Sequence, residues 1–395
     1  MPVQDRVFKT VQDAKKAKDQ FGEKVVNATL GALYDETPEL VAYDSFYSVF
    51  ESLTRKELAA YASHLQGVPA FREALAEWLG ITDVEIIASP GSTGALSLAI
   101  HETLHEGQTI VIPSIYWGPY ELMAQFQHLN VAHYEMFHER GFNVKDFKRV
   151  TTEIIQEQGR LTVLINDPAQ NPTGYSMTDA EWTAVMKRLR SLTEFGEINA
   201  ILDIAYIDYT KADDKRRRLF QHFVDLPDGL NVLVCTSLSK TATAYGLRLG
   251  GLVIFSKQKD RLFEQYSAGA RSVWSNVNNG GQLAFAKMIQ TPALKEAFVR
   301  EQQENIEMLS ARSNLFMQEA DQIGLEYFPH TEGFFVTLPL DPTYREAVDQ
   351  GLREELIYTI SLAGGVRVAL CAIPLRQVQG LASRIKAVMD RVIRG

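Results

Sequence analysis

Short apolar, β-rich runs recur through the first two thirds of the chain, with helical patterns between most of them. This alternation limits the fold more than any other feature. The runs are VEIIAS (84–89), TIVIP (109–113), LTVLIN (161–166), AILDIAY (200–206), NVLVCTSLS (231–239) and GGLVIF (250–255). Between them lie patterns such as GALSLAIHETLHEG (94–107) and TDAEWTAVMKRLRSL (178–192). Strands that are apolar throughout and spaced by helices predict an α/β sheet covered on both faces. Residues 11–24 read as a charged, weakly helical stretch, and 54–79 as helix, turn at Gly67-Val68-Pro69, helix. Neither Pro nor Gly falls between Ala293 and Ile323, which predicts one long, bent amphipathic helix. Strands at 334–340 and 366–370 and a last helix then indicate a second, α+β domain. The expected division is a large domain over 48–300 and a smaller one from 1–47 with 301–395.

The composition narrows the class of function. With 395 residues, 46% of them hydrophobic, the chain has material for a large core. Forty Lys and Arg against 49 Asp and Glu give a net charge of −9. A general affinity for nucleic-acid backbones, which needs basic faces, is therefore not expected. No apolar run approaches the ~18 residues of a membrane span. The first 22 residues lack the apolar centre of a secretory signal, so a cytoplasmic protein is expected. Two cysteines, Cys235 and Cys371, make neither a disulfide framework nor a metal cluster, and no metal is expected.

Four segments carry candidate chemistry. Ser237-Leu238-Ser239-Lys240 ends an apolar strand, and Arg248 follows eight residues after the lysine. Lys240 is either a snorkelling surface amine or a Schiff-base former, and neighbouring hydroxyls with an arginine would suit a phosphate. Asn171-Pro172-Thr173-Gly174, just past another strand, is at the least a good turn. Asp203 lies in the apolar run AILDIAY and calls for a positive partner, with Tyr206 three residues on. Ser89-Pro90-Gly91-Ser92-Thr93-Gly94 joins a strand to a helix, where backbone N–H groups can cradle a phosphate or simply turn the chain.

In this order and spacing the four segments resemble fold-type I pyridoxal-phosphate enzymes, and class I aminotransferases of the aspartate and aromatic amino acid branch in particular. The resemblance runs from about Leu30 to Arg367. It implies a mostly parallel seven-stranded sheet between helices in the large domain. It also implies a cofactor, pyridoxal 5'-phosphate, that becomes pyridoxamine 5'-phosphate in the half-reaction. Lys240 matches the lysine that binds the cofactor covalently and then shuttles a proton. Asp203 matches the carboxylate that keeps the pyridine nitrogen protonated. Asn171 and Tyr206 match the pair on the ring's phenolic oxygen. Ser92, Thr93, Ser237 and Arg248 match the phosphate clamp, and Tyr61 resembles a tyrosine that reaches the phosphate from a neighbouring subunit. Trp117 resembles the aromatic residue stacked on the ring, with Tyr116 as its rival and core packing as the other reading. Some family members carry Asn-His after this tryptophan, whereas here Gly118 is followed by Pro119 and Tyr120. The surroundings of Asp203, Asn166 included, are therefore expected to differ.

The resemblance also bears on the substrate. Arg367, in AGGVRVAL, matches the arginine that grips the α-carboxylate, placed before a strand near the C-terminus. The loop 30–36, with Gly31, resembles the N-terminal segment that closes over substrate in that branch, and Asn171 and Trp117 are expected to touch the substrate too. Arg271, in ARSVWSN, resembles an arginine that enters the partner's site and pairs with a side-chain carboxylate, with Trp274 where tyrosine is usual. The expected reaction is transamination of aspartate or an aromatic amino acid with 2-oxoglutarate, in a homodimer with shared sites. Within the fold, a lyase or other activity on the same cofactor is the competing reading. A regulatory cofactor-binding module is disfavoured by the charge and by only ~30 residues preceding the match. A nicotinamide-binding protein is disfavoured because no G-x-G-x-x-G follows an early strand.

Overall fold

The computed structural model describes residues 6–210, 218–362 and 364–394. The chain forms two compact units, one of 42–168 with 177–303, the other of residues up to 41 with 169–176 and 304–395. The larger unit holds a sheet of seven strands: β1 (Glu85–Ser89), β2 (Thr109–Pro113), β3 (Asn130–Tyr134), β4 (Arg160–Asn166), β5 (Glu197–Asp203), β6 (Leu230–Ser237) and β7 (Gly250–Phe255). Their spatial order is β1-β7-β6-β5-β4-β2-β3. Every pairing is parallel except those of β7, which runs antiparallel to β1 and β6. The mostly parallel seven-stranded α/β sheet expected from the sequence is thus present.

The apolar runs are continuous because the sheet is buried on both sides. Ile87, Ile112, Leu164, Ile201, Leu233 and Leu252 share one core cluster with residues of three helices, α1 (Gly91–Thr103), α2 (Pro119–Phe126) and α4 (Lys259–Val273). The alternate residues Val111, Val163, Leu202, Val234 and Val253 are buried as well, as the two-residue period of a doubly covered strand requires. A short helix, α3 (Leu238–Thr241), follows β6 directly. Strand β3 was not singled out from sequence. Its NVAHY pattern is largely solvent-accessible, and only Tyr134 is fully buried, which suits an edge strand.

Two local expectations need correction. The first helix of 54–79 is only Arg55–Ala59, opened by a capping box between Thr54 and Glu57. The chain turns extended at Ala60. Ala62 is then held by the Asn276 amide, which accepts from its N–H at 2.8 Å and donates to its carbonyl at 3.2 Å. These tertiary bonds override local helix propensity, and the helix resumes only at Pro69–Leu79. The helix after β1 begins at Gly91, three residues before the apolar pattern that marked it.

The long Pro- and Gly-free segment is one helix, α5 (Pro292–Ile323). In the smaller unit, β8 (Phe335–Pro339), β9 (Ile360–Leu362) and β10 (Gly365–Ala369) form an antiparallel sheet with β10 in the centre. Val336, Leu338, Val366 and Val368 point into this unit's core with Phe316, Ala320 and Ile385. Arg312, on α5, is fully buried. Its Nε and Nη2 donate to Glu36 Oε1 at 2.9 and 2.7 Å, and its Nη1 donates to the Leu370 and Cys371 carbonyls at 3.5 and 3.3 Å. The other Glu36 oxygen accepts from the Leu375 N–H at 2.8 Å. The loop that contains Gly31 is thereby pinned at its far end. Removing the arginine leaves two carbonyls and a carboxylate short of donors, whereas Glu36 is half exposed and water can replace part of its role. Arg312→Ala is expected to cost about 3 kcal/mol and Glu36→Gln about 1 kcal/mol or less, read as shifts of the urea unfolding midpoint.

Candidate active site

Two strands of the larger unit end side by side, Asn166 of β4 beside Asp203 of β5, and Asp203 lies beside Cys235 of β6, which runs two residues further to Ser237. Ligands in open α/β sheets bind outside such carboxyl ends. Asp203 stands two residues beyond the core residue Ile201, so strand periodicity turns it toward the face that carries α1 and α2. It is buried. Ser92 Oγ, from α1, and the Ala205 N–H donate to its Oδ1 at 3.0 and 3.1 Å. Tyr120 Oη, from α2, donates to Oδ2 at 2.8 Å. Asn166 Nδ2 donates to its backbone carbonyl at 2.8 Å. Burial pushes the carboxyl above the usual range, and the three donors act against that shift. None of these donors is cationic. The substitution of Pro119-Tyr120 for Asn-His thus takes a definite form, a phenol on the carboxylate.

Lys240 lies on α3, which is capped by Ser237, whose Oγ accepts from the Ser239 N–H at 3.1 Å. Tyr209 Oη donates to the Lys240 carbonyl at 3.2 Å, and the Thr241 hydroxyl donates to the buried Asp208 carboxylate. The helix is therefore fixed at both peptide and side chain. Lys240 Nζ lies 4.7 Å from the centre of the Tyr245 ring and 5.6 Å from that of Tyr206. Arg248 Nη1 donates to Ser239 Oγ at 2.9 Å and to the Tyr245 carbonyl at 3.0 Å. Gly91 has φ +69°, and a Cβ there would sit 2.8 Å from Arg248 Nη2. The missing side chain leaves the arginine open to the first turn of α1.

These features fit the expected cofactor. The space at Gly91, the N–H groups that begin α1 and the Arg248 fork suit a phosphate. A buried carboxylate whose donors among the described residues are all neutral suits a cationic ring nitrogen. The hydroxyl of Ser92, a residue expected at the phosphate, donates to Asp203, and the hydroxyl on Arg248 is that of Ser239, which the S-x-S-K pattern does not single out. Thr93 lies in the first turn of α1. Trp117 packs its edge against Tyr120, with ring centres 5.5 Å apart at 84°. Tyr116 stacks on His133 at 5.4 Å. Tyr61 is 86% exposed. Arg271 is also exposed, at the end of α4, with Nη1 donating to Ser275 Oγ at 2.6 Å.

The smaller unit holds Gly31, Asn171 and Arg367. Arg367 lies in the middle of β10, not before it, and faces away from Val366 and Val368. It is buried, with its guanidinium carbon 4.3 Å above the Phe335 ring centre. Its Nη1 donates to Asn171 Oδ1 at 3.3 Å and its Nη2 to the Thr29 carbonyl at 3.0 Å. The 171–174 turn is docked onto this sheet. Thr337 Oγ1 donates to the Pro172 carbonyl at 2.6 Å, and the Gly174 carbonyl accepts from the N–H groups of Thr331 and Glu332. Gly174 has φ +74°, and a Cβ there would strike His330 and the Glu332 carbonyl. A motif legible as a turn is thus also a support for Arg367. Phe335 and Thr29 had no signal of their own before the sheet register was known.

The family described as aminotransferase class I and II matches residues 46–385. An aminotransferase structure from Anaerococcus prevotii is 32% identical, covers 96% of this chain and 95% of its own, and has a TM-score of 0.93. The aromatic-amino-acid aminotransferase of Escherichia coli is 25% identical over 92% of this chain and 93% of its own length. The mitochondrial aspartate aminotransferase of Schizosaccharomyces pombe is 24% identical over 75% of this chain and 69% of its own length. With the family matched over residues 46–385 and a relative of the same sheet architecture 32% identical over 96% of the chain, the chain belongs to the class I and II aminotransferases.

Proposed function

We propose that this aminotransferase, whose cofactor is pyridoxal 5'-phosphate, moves the amino group of aspartate or an aromatic amino acid to 2-oxoglutarate, as a cytoplasmic homodimer with shared sites. Among the described residues no helix is long and apolar enough to cross a membrane. The observation that carries the reading is Asp203, a carboxylate buried at a strand end whose donors among the described residues are all neutral. The cofactor supplies an aldehyde for the amino group and a cationic ring that accepts electron density. Asp203 keeps the ring nitrogen protonated. Lys240 holds the cofactor and, once released, moves the proton at the substrate's Cα. Tyr206 and Asn171 donate to the ring's phenolic oxygen. Arg248, Thr93, Ser237 and the N–H groups that begin α1, that of Ser92 among them, hold the phosphate.

Trp117 is the better candidate for the ring face. It already contacts Tyr120, the donor to Asp203, whereas Tyr116 is engaged by His133 and by the Glu121 carboxylate. Arg367 grips the α-carboxylate. Its fixed fork presents two N–H groups to two oxygens, and Phe335 and Asn171 hold its plane. Gly31, Asn171 and Trp117 touch the substrate. Tyr61 and Arg271 serve the partner's site, which their exposure supports. The working division is a cofactor domain over 48–300 and a smaller domain from 1–47 with 301–395. The relatives named for aspartate and for aromatic amino acids support this substrate range.

Two outcomes test this reading. Arg271→Ala is expected to lower kcat/KM for aspartate and glutamate by ~100-fold or more while sparing phenylalanine and tyrosine, because a buried carboxylate loses its partner. Arg367→Ala is expected to damage turnover of every amino acid, and a panel of donors against 2-oxoglutarate reads both. For the dimer, Lys240→Ala mixed with a Tyr61→Ala/Arg271→Ala double variant is expected to regain activity, since one site of each heterodimer is then complete. No recovery, with mixed dimers confirmed by mass, would show that each chain builds its own site.

A further inference from the structure

We propose that Tyr120 is a positioning residue that fixes the charge of Asp203 and, through it, the proton on the cofactor's ring nitrogen. The inference rests on the reading that Asp203 faces that nitrogen. An ionised carboxylate offers about four lone-pair sites. Ser92 Oγ and the Ala205 N–H take two on Oδ1, and Tyr120 Oη takes one on Oδ2 at 2.8 Å. The remaining site is on Oδ2, the oxygen that Tyr120 already holds. A ring N–H and the phenol would then share one oxygen, so the phenol sets both its direction and its affinity for a proton.

The phenol is itself fixed. Tyr120 lies in the first turn of α2, just after Pro119, and its N–H donates to the Trp117 carbonyl at 3.0 Å. Its ring is buried in the core cluster under the sheet, with the edge of Trp117 against it. Burial and the neighbouring carboxylate both oppose its ionisation, so it remains a neutral donor across working pH. The other titratable groups about the pair are Cys235, on the adjacent strand, and Tyr206. Burial, then Asp203, holds the Cys235 thiol well above its ordinary range, so it too stays neutral. Hydrogen bonds to the charged form lower a carboxyl's proton affinity, and those to Asp203 oppose the effect of burial. Loss of the phenol would move Asp203 toward its neutral form, which no longer retains the ring proton.

The test is the 15N chemical shift of enzyme reconstituted with ring-15N pyridoxal phosphate, read from pH 6 to 9. The wild type is expected to show a protonated nitrogen with one plateau. Tyr120→Phe is expected to move the shift toward the unprotonated value as pH rises, and to lower kcat about tenfold with little change in KM. Tyr120→Leu serves as a second variant and covers a Phe variant that does not fold; it too removes the donor to Oδ2, so the same movement of the shift is expected. A wild-type shift at every pH in both variants would overturn the proposal. Asp203→Asn separates the two levels. If it alone changes the shift, Tyr120 has no such role. If it too leaves the shift unchanged, the assignment of Asp203 to the ring nitrogen is the part that fails.

Discussion

A carboxylate buried with no cationic donor among the described residues is costly, and the larger unit is arranged around one. Asp203 ends a strand whose preceding residues Ile198, Ala200, Ile201 and Leu202 are all buried in the sheet core. Its hydrogen bonds come from α1, from α2 and from the backbone after β5. The first turns of both helices are therefore placed by the same charge. One of them, at Gly91, is also the turn that leaves room beside Arg248. Charge for a ring nitrogen and space for a phosphate thus follow from how two helix starts meet one strand end. Unmet, the negative charge is a liability of several kcal/mol in the folded chain. In the proposed reading, a bound cationic ring would convert that liability into cofactor affinity.

The smaller unit solves the opposite problem, a buried positive charge. Arg367 lies on a central strand, where a side chain must face one side or the other of the sheet. Valines on either side of it in sequence fill the core, and the guanidinium is left on the other face over Phe335. The Asn171 amide oxygen and the Thr29 carbonyl supply neutral acceptors. These bonds fix the direction of its fork. Arg312, by contrast, is consumed by Glu36 and two carbonyls and serves structure.

Much of this was legible because burial writes itself into sequence. Strands covered on both faces leave runs such as NVLVC, and polar residues inside or just after such runs stand out: Asp203, Lys240, Asn171. Edge strand β3 left no such run, since its exposed residues need not be apolar. The short helix Arg55–Ala59 has the composition to continue, but Asn279 takes its Glu57 carbonyl and Asn276 holds Ala62 just beyond it, both far away in sequence. The hydroxyl partners were least legible. Ser92, Ser237 and Ser239 are alike in sequence, and which of them meets Asp203, α3 or Arg248 depends on side-chain directions that no local pattern encodes. Tyr120 could be marked as a departure from a family pattern, but its bond to Asp203 required the packing of α2.

The most direct test of the central claim separates charge from phosphate. The affinity of the apo protein for pyridoxal phosphate would be measured beside its affinity for inorganic phosphate, in the wild type and in Asp203→Asn. If the Asp203 charge is what binds the ring, the variant loses cofactor affinity by about 100-fold or more and keeps its affinity for phosphate. Equal affinities of the two proteins for the cofactor would contradict the account.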